Sequence, residues 1–289
     1  MTKARKTAYA ALLTTAVIWG FAPPIIKYTL GFIDPVSFLF YRFLVAGLLL
    51  ALPLFLKLKK TKFSLKKTGK YLALGFLGTP LTLILLFIGI QKTTAIDASI
   101  IWIISPILVV LGGAFFLKEN VTKIEKIGIG LTLMGTLITI FQPLLESGVN
   151  FGGNIWGNAL VFGGTCVWAG FTLLTKKEKS LDPFILSSSS FLVGALVMFP
   201  FFLTRPVLTV PKPAIFGILY MALLGSMVAY FTYIYGLAKI EASEATIFTY
   251  LQPLFAVPLA AVWLAEKITL LFLIGALLIG LGVFICEKR

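Results

Sequence analysis

Long apolar runs, separated by short polar segments, dominate the chain from end to end. A helix that crosses about 30 Å of hydrocarbon needs about 20 largely apolar residues. Ten runs approach or reach this length, and they cover residues 8–27, 36–56, 71–90, 95–117, 124–141, 156–175, 184–203, 215–237, 242–264 and 270–286. The pattern predicts an all-α membrane protein with ten transmembrane helices.

The composition agrees with this prediction and argues against most kinds of enzyme. Hydrophobic residues make up 59% of the chain, charged residues make up 12%, and histidine is absent. A soluble domain has about 45–50% apolar and about 25% charged residues. Histidine is the commonest general base and metal ligand, and the two cysteines, Cys166 and Cys286, lie in apolar runs without paired spacing. We therefore expect no catalytic residues, no metal and no cofactor.

The net charge of +14 is explained by membrane topology rather than by affinity for nucleic acid, because the basic residues cluster between the apolar runs. With the N-terminus in the cytoplasm, 19 of the 25 basic residues lie in cytoplasmic segments, five lie outside, and Arg42 lies within the second run. Cytoplasmic segments typically carry such an excess. We expect a multi-pass protein of the plasma (inner) membrane, embedded in the lipid bilayer, with both termini cytoplasmic and no nucleic-acid partner. The sequence leaves the oligomeric state open.

The two halves of the chain resemble each other. A shift of 147 residues aligns identical residues in register: Gly78 with Gly225, Gly89 with Gly236, Lys92 with Lys239, Pro106 with Pro253, Leu117 with Leu264, Glu119 with Glu266, Gly128 with Gly275, and Gly135 with Gly282. Apolar helices always align to some extent, but glycine, proline, glutamate and lysine would not match by apolar character alone. We predict two five-helix repeats, 1–147 and 148–289. Because five is odd, the second repeat enters the membrane in the opposite orientation.

Short motifs follow one another in the first half: Ile18-Trp19-Gly20-Phe21, Asp34-Pro35 and Tyr41-Arg42-Phe43. In the fourth helix of each half a proline is followed by a glutamate, as Pro106 with Glu119 and Pro253 with Glu266. In these motifs the chain resembles the ten-helix EamA-type branch of the drug/metabolite transporter superfamily. The resemblance implies a polytopic carrier with a central cavity lined mainly by helices 1, 3, 4, 6, 8 and 9, often an exporter of amino acids or other small metabolites. The chain departs from the family at Gln91-Lys92-Thr93, and Ser190 stands where the repeat would place a second Arg42.

Polar and aromatic side chains in the central helices are the candidates for a substrate cavity. A buried amide or hydroxyl needs a hydrogen-bond partner, which a wet cavity supplies more readily than lipid. The alternative for each aromatic residue is packing against a neighbouring helix or a place in the interfacial belt. The candidates are Trp19, Thr79, Trp102, Ser105, Trp168, Tyr230, Tyr233, Thr249 and Gln252.

Charged residues inside the membrane are costly and usually mark a substrate or ion path. None of the eleven acidic residues falls in the middle of a predicted helix, so a proton-coupled mechanism based on a central carboxylate is not predicted. Arg42 lies about seven residues into the second helix, or about 10 Å along its axis, and is a candidate anchor for an anion or carboxylate. Alternatively, its side chain extends to the interface or bonds to helix-end carbonyl groups.

Pro106 and Pro253 occupy equivalent places near the middle of the fourth and ninth helices. Proline removes a backbone donor and clashes with the preceding turn, which makes these residues candidate hinges. The alternative is a static kink that only shapes the packing.

Together these features predict a secondary transporter that moves a small organic metabolite by alternating access between two halves. Aromatic walls and the lack of a central carboxylate favour an amino acid or a similar neutral, zwitterionic or aromatic solute, and the resemblance favours export. An enzyme would need acid, base or metal-ligating groups clustered at one depth, which the sequence lacks. A lipid-handling or structural polytopic membrane protein is the other possibility.

Overall fold

The computed structural model describes residues 3–61, 64–117, 123–147, 153–178, 180–204, 206–240, 245 and 248–287, and these residues are helical with short connections and no β-strand. We number the helices α1 to α10, counting segments on either side of a short break as one helix. In the first half α1 comprises Lys3–Gly20 and Ala22–Thr29, α2 is Pro35–Lys59, α3 runs through Leu65–Phe76, the π-helical Leu77–Leu81 and Thr82–Lys92, α4 comprises Ala95–Trp102 and Ser105–Leu117, and α5 is Lys123–Ser147. In the second half α6 is Gly153–Lys177, α7 is Pro183–Thr204, α8 runs through Lys212–Leu219, the π-helical Tyr220–Val228 and Ala229–Lys239, α9 comprises the 3₁₀ turn Phe248–Leu251 and Pro253–Trp263, and α10 is Leu270–Glu287.

Seven of these helices are long and apolar enough to cross a membrane, namely α1, α2, α3, α4, α6, α7 and α8. Shorter apolar stretches occur in α5, α9 and α10, at the positions of the fifth, ninth and tenth predicted runs. Glu119 and residues 242–244 of the ninth run lie outside the described residues. The structure thus confirms an all-helical, multi-pass membrane protein, whereas the count of ten spans stays a prediction.

Large apolar side chains cover the outer faces of the helices. Leu48 is 65% exposed, Leu196 is 74% exposed and Leu277 is 63% exposed. Soluble monomers rarely expose large contiguous apolar patches, whereas the hydrocarbon of a bilayer is a suitable solvent for them. These faces are therefore the lipid-facing surface.

The helices pack in pairs that correspond to each other under the repeat shift. α3 of the first half packs on α6 of the second, and α8 of the second half packs on α1 of the first. The remaining pairs join equivalent helices, since α2 packs on α7, α4 on α9 and α5 on α10. The two halves therefore interlock rather than lying side by side as separate bundles.

Glycines allow α5 and α10 to cross closely. A Cβ atom on Gly135 would lie 2.6 Å from the carbonyl oxygen of Gly275, and one on Gly282 would lie 2.5 Å from the carbonyl oxygen of Gly128. The 147-residue shift relates Gly128 to Gly275 and Gly135 to Gly282, so the two contacts are equivalent. Small residues at helix crossings are typical of membrane proteins, where close backbone packing replaces the hydrophobic effect.

Two lysines bind the carbonyl groups at helix ends. The Nζ atom of Lys27, in α1, donates to the carbonyl oxygen of Ile90 at 3.0 Å and to two others at the end of α3. The Nζ atom of Lys176, in α6, donates to the carbonyl oxygen of Leu237 at 3.0 Å and to one other at the end of α8. The last carbonyl groups of a helix lack partners within it, so each lysine both satisfies them and ties two helices together.

Two ion pairs connect the first half to the second. Lys57, near the end of α2, pairs with Asp182 at 2.8 Å just before α7, and Lys70 of α3 pairs with Glu178. Partial burial raises the pKa of the Asp182 carboxyl, but the Lys57 ammonium and the first backbone amides of α7 outweigh it, so the pKa lies below its ordinary value. The same carboxyl caps α7, because it accepts hydrogen bonds from the amides of its first turn.

A further acidic contact joins the end of α9 to α4. The two carboxylate oxygens of Glu266, which follows α9, accept hydrogen bonds from the backbone amides of Ala95 at 2.8 Å and Ile96 at 2.9 Å. These amides lie at the positive N-terminal end of α4, where an anion is favoured. Glu266 therefore holds the second half against the start of α4.

Candidate functional site: a cavity between the two halves

A cavity of about 60 Å³ lies among α1, α2, α3, α4, α6, α8 and the start of α9. Six of the candidate residues line it: Trp19, Arg42, Trp102, Trp168, Tyr230 and Gln252. The rest of the wall is mainly apolar and includes Leu83, Leu86 and Met221. Since one water needs about 10–15 Å³ measured in this way, the cavity holds a few waters, and a metabolite would require the helices to move apart.

Aromatic rings from both halves meet at this cavity. Trp19 of α1 and Trp168 of α6 lie nearly perpendicular, with ring centroids 5.4 Å apart. Trp102 lies 5.8 Å and Tyr230 lies 5.9 Å from Trp168, between ring centroids. The contacts of Trp168 with Trp19 and with Tyr230 are edge-to-face, an arrangement that the ring quadrupole favours. The cluster forms one continuous aromatic wall.

Hydrogen bonds fix the orientation of this wall. The indole nitrogen of Trp19 donates to the carbonyl oxygen of Gly225 at 2.9 Å, in the π-helical part of α8. The hydroxyl of Tyr233 lies 2.9 Å from that of Thr172. Buried tyrosine and tryptophan normally find such partners, so these rings are held in place rather than free to turn.

Arg42 is the charged residue of the cavity wall. Its side chain is only 2% exposed, and its Nε atom donates to the Ser226 hydroxyl at 2.8 Å. The rings of Phe43 and Phe87 lie 5.9 Å and 5.7 Å from the guanidinium carbon. No group in the described part of the chain accepts a hydrogen bond from Nη1. The side chain is therefore held inside the protein by Ser226, with one nitrogen unused.

Four of the predicted cavity residues do not line this cavity as the structure describes it. Thr79 is buried and donates to the carbonyl oxygen of Ser190 at 2.9 Å. Ser105 is also fully buried. Tyr233 and Thr249 lie at a second cavity of only about 10 Å³, which Gln252 also lines. These side chains pack or bond within the helix bundle beside the main cavity.

Both candidate hinge prolines begin a new helical segment. The two parts of α4 are separated by residues 103–104, and Pro106 lies in the first turn of the second part. In α9 a 3₁₀ turn ends at Leu251, and Pro253 begins the following α-helix. The first turn of a helix tolerates proline because its amides have no helical partner. The breaks lie beside Trp102 and Gln252, which line the cavity.

Two polar residues have a larger part in the structure than their sequence context indicates. Ser226 is the hydrogen-bond partner of Arg42. Its counterpart in the first repeat is Thr79, and Thr79 bonds to Ser190, the residue that stands at the position corresponding to Arg42. Asp97 lies in the first turn of α4 and is only 3% exposed, and it is hydrogen-bonded by Thr93 and Asn158. The repeat register is the signal that could have identified Ser226.

Among the described residues no three acidic or cysteine side chains are placed to hold a metal ion.

The amino-acid sequence matches the model of the EamA-like transporter family over residues 6–141 and again over residues 155–286. Each match spans five of the ten predicted runs, so the family unit occurs twice in the chain.

Several curated relatives cover most of the chain. An uncharacterized transporter of Archaeoglobus fulgidus is 28% identical over 97% of this chain and 99% of its own length. The uncharacterized transporter YyaM of Bacillus subtilis is 28% identical over 95% of this chain and 92% of its own. The uncharacterized transporter YetK of the same organism is 31% identical over 84% of this chain and 76% of its own length. A protein crystal structure matches 98% of both chains with a TM-score of 0.70 at 15% identity, which shows a shared fold.

Proposed function

We propose that this chain, which belongs to the EamA-like transporter family, moves a small organic solute by alternating access of the cavity between its two halves. The observation that carries the proposal is the cavity wall, where Trp19 and Trp168 meet from corresponding helices of the two halves. Two near-equivalent, oppositely inserted halves would give two near-equivalent conformations, each open to one side. A ligand then shifts the balance only through its different affinity for the two states.

The moving parts follow from the helix breaks and the contacts between halves. Pro106 and Pro253 mark the breaks at which the cavity-facing parts of α4 and α9 would tilt. The ion pairs Lys57–Asp182 and Lys70–Glu178 join the halves at the side that we propose to be cytoplasmic. Partly exposed ion pairs contribute only about 0–1 kcal/mol each, so they would close this side without locking it.

The wall favours a small solute with an apolar or aromatic body. Trp19, Trp102 and Trp168 offer ring faces and edges, and Arg42 offers one fixed positive charge. An amino acid or a similar neutral, zwitterionic or aromatic metabolite has these features. We propose export across the plasma membrane, with both termini in the cytoplasm, as the working direction and orientation.

A cysteine placed in the cavity tests alternating access without knowledge of the solute. Ala98 lines the cavity and is only 1% exposed, so Ala98→Cys should react with an anionic, membrane-impermeant methanethiosulfonate only when the cavity opens. In a background with Cys166 and Cys286 replaced by serine, the reagent is added to either side of proteoliposomes of one orientation. We expect reaction from both sides. Ala46→Cys, equally buried on α2 but away from the cavity, should react from neither.

Cross-linking separates alternating access from an open pore. A bifunctional thiol reagent joining Lys70→Cys to Glu178→Cys should abolish labelling of Ala98→Cys from the side of the cross-link and leave labelling from the other side. Labelling from both sides after cross-linking would indicate a pore. Reaction from neither side before cross-linking would favour a structural membrane protein and contradict the proposal.

A further inference from the structure

The positive charge at the cavity has no partner of opposite charge among the described residues. Arg42 is 2% exposed, its single hydrogen bond goes to the neutral Ser226 hydroxyl, and Nη1 has no acceptor. A buried charge without an ionic partner costs several kcal/mol. Such a charge is retained where a ligand completes the pair.

The acidic side chains that the structure describes are all engaged elsewhere. Each is bonded to a helix N-terminus, a lysine or neutral polar groups: Asp34 caps α2, Asp97 is bonded to Thr93 and Asn158, Glu178 pairs with Lys70, Asp182 pairs with Lys57, and Glu266 caps α4. None of them reaches the guanidinium. Arg42 thus presents an uncompensated positive charge to the cavity.

A second unused donor belongs to the same cavity. The Tyr230 side chain lines the cavity together with Arg42 and is only 1% exposed. Its hydroxyl makes no hydrogen bond of normal geometry within the described part of the chain. Buried polar atoms without partners are rare in native structures and call for an explanation. Both atoms belong to side chains that line the same cavity, so acceptor oxygens of a ligand bound there would satisfy them.

The site occurs once, although the protein is built from two similar halves. The counterpart of Arg42 is Ser190, and the counterpart of Tyr230 is Leu83. The counterpart of the Arg42–Ser226 bond is the bond from Thr79 to the Ser190 carbonyl, which leaves no free donor at that hydroxyl. The cavity therefore offers a single anchor for one anionic group, at one side of its pseudo-symmetry axis.

A carboxylate matches this anchor better than a phosphate or an amine. A guanidinium and a hydroxyl supply the two or three donors that a carboxylate accepts. A phosphate monoester carries a charge of about −1.5 to −2 and more acceptor oxygens, for which the mainly apolar wall has no further cation in the described residues. A primary amine would be repelled by Arg42.

We infer that Arg42 Nη1 and the Tyr230 hydroxyl bind the carboxylate of an organic monocarboxylate whose apolar or aromatic body lies against Trp19, Trp102 and Trp168, and that no ammonium group is required. The inference rests on the proposed transport function and names the solute class of the same cavity. It predicts that an acid binds in preference to the zwitterion, because the described wall offers no carboxylate for an ammonium.

Matched acids and amines test the inference on the purified full-length protein. Monocarboxylates of increasing size, from acetate to 3-phenylpropanoate, are compared with the corresponding primary amines, and binding is followed by tryptophan fluorescence and thermal stabilisation. We expect affinity to rise with the size of the acid, and no binding of the amines. We expect phenylalanine to bind more weakly than 3-phenylpropanoate. Absence of binding by every acid, or tighter binding of the amines or of phenylalanine, would overturn the inference.

Variants locate the binding to the anchor. Arg42→Gln should lower the affinity for 3-phenylpropanoate at least tenfold, and Arg5→Gln, which changes an exposed arginine of α1, should leave it unchanged. Tyr230→Phe removes only the hydroxyl and should lower the affinity several-fold, which keeps the test decisive if Arg42→Gln does not fold. Unchanged affinity in Tyr230→Phe or Arg42→Gln would overturn the inference. Labelling of Ala98→Cys from both sides without binding of any acid would refute the inference alone, whereas labelling from one side would refute the transport proposal.

Discussion

Replacing Gly282 by alanine should force α5 and α10 apart. The new Cβ atom would lie 2.2 Å from the Thr132 hydroxyl, 2.5 Å from the Gly128 carbonyl oxygen and 2.7 Å from the Thr132 amide nitrogen. Ordinary van der Waals contact begins near 3.4 Å, so the backbones must separate by about 1 Å. Overpacking of this kind costs about 1–3 kcal/mol. Alanine is about 1 kcal/mol more favourable than glycine in a helix, which offsets part of this cost, so we expect a net loss of up to about 2 kcal/mol.

Gly280 provides a matched control on the same helix. A Cβ atom there would meet no atom within 4 Å, so Gly280→Ala should be neutral or stabilising by up to about 1 kcal/mol. The free energy of unfolding is measured in mixed micelles with increasing denaturing detergent. In the other half, Gly135→Ala should be destabilising and Gly130→Ala, also in open space, should not. Equal stabilities of Gly282→Ala and Gly280→Ala would refute the close crossing of α5 and α10.

Three further predictions concern the ends of the helices and are tested by the same unfolding measurement. Lys27→Met and Lys176→Met should each lower the free energy of unfolding by about 1–3 kcal/mol, since each leaves helix-end carbonyl groups without donors. The exposed Lys92→Met should not, and an unchanged value in Lys27→Met or Lys176→Met would contradict the role of that lysine. Glu266→Gln should cost about 0.5–2 kcal/mol. The amide has only one acceptor oxygen and no charge, so one of the two backbone amides that the carboxylate caps loses its partner. An unchanged free energy of unfolding would contradict the stabilising role of this cap. The pKa of Asp182 is lowered on folding, so its stabilisation is complete above the unfolded value of about 3.9 and is lost as the pH falls through the folded value. Asp182→Asn should therefore be less stable than the wild type at pH 7, and the difference should shrink below about pH 4; a difference that grows in acid would contradict the sign.

Much of the architecture follows from sequence pattern and repeat register. Continuous apolar runs predict transmembrane helices without knowledge of the neighbouring helices. In the bilayer core each backbone N–H and C=O group needs a hydrogen-bond partner, and a helix supplies these partners within the segment itself. Trp19 and Trp168 were both named as candidates for the cavity from sequence, and both line it with their rings in contact. The 147-residue shift likewise relates the two glycine contacts of the single crossing between α5 and α10.

The direction in which individual side chains point, and therefore which of them line the cavity, could not be predicted from the sequence in the same way. A helix that is apolar on all sides has no stripe that identifies its buried face. Tyr230 and Tyr233 lie less than one turn apart on α8, yet Tyr230 lines the main cavity and Tyr233 the smaller one. Thr79 bonds to a backbone carbonyl of a distant helix, a contact that only the packed structure reveals. The environment of Arg42 depends in the same way on Ser226, 184 residues later.

The opposite insertion of the two halves is the central claim, and the side of the membrane on which α3 and α8 begin tests it most directly. Leu65 begins α3 and is 92% exposed, and Leu208 precedes α8 and is 82% exposed. In the cysteine-free background, Leu65→Cys and Leu208→Cys are treated on intact cells with a membrane-impermeant maleimide, before and after permeabilisation. The account predicts that Leu208→Cys reacts in intact cells and Leu65→Cys only after permeabilisation. Reaction of both cysteines from the same side would contradict it.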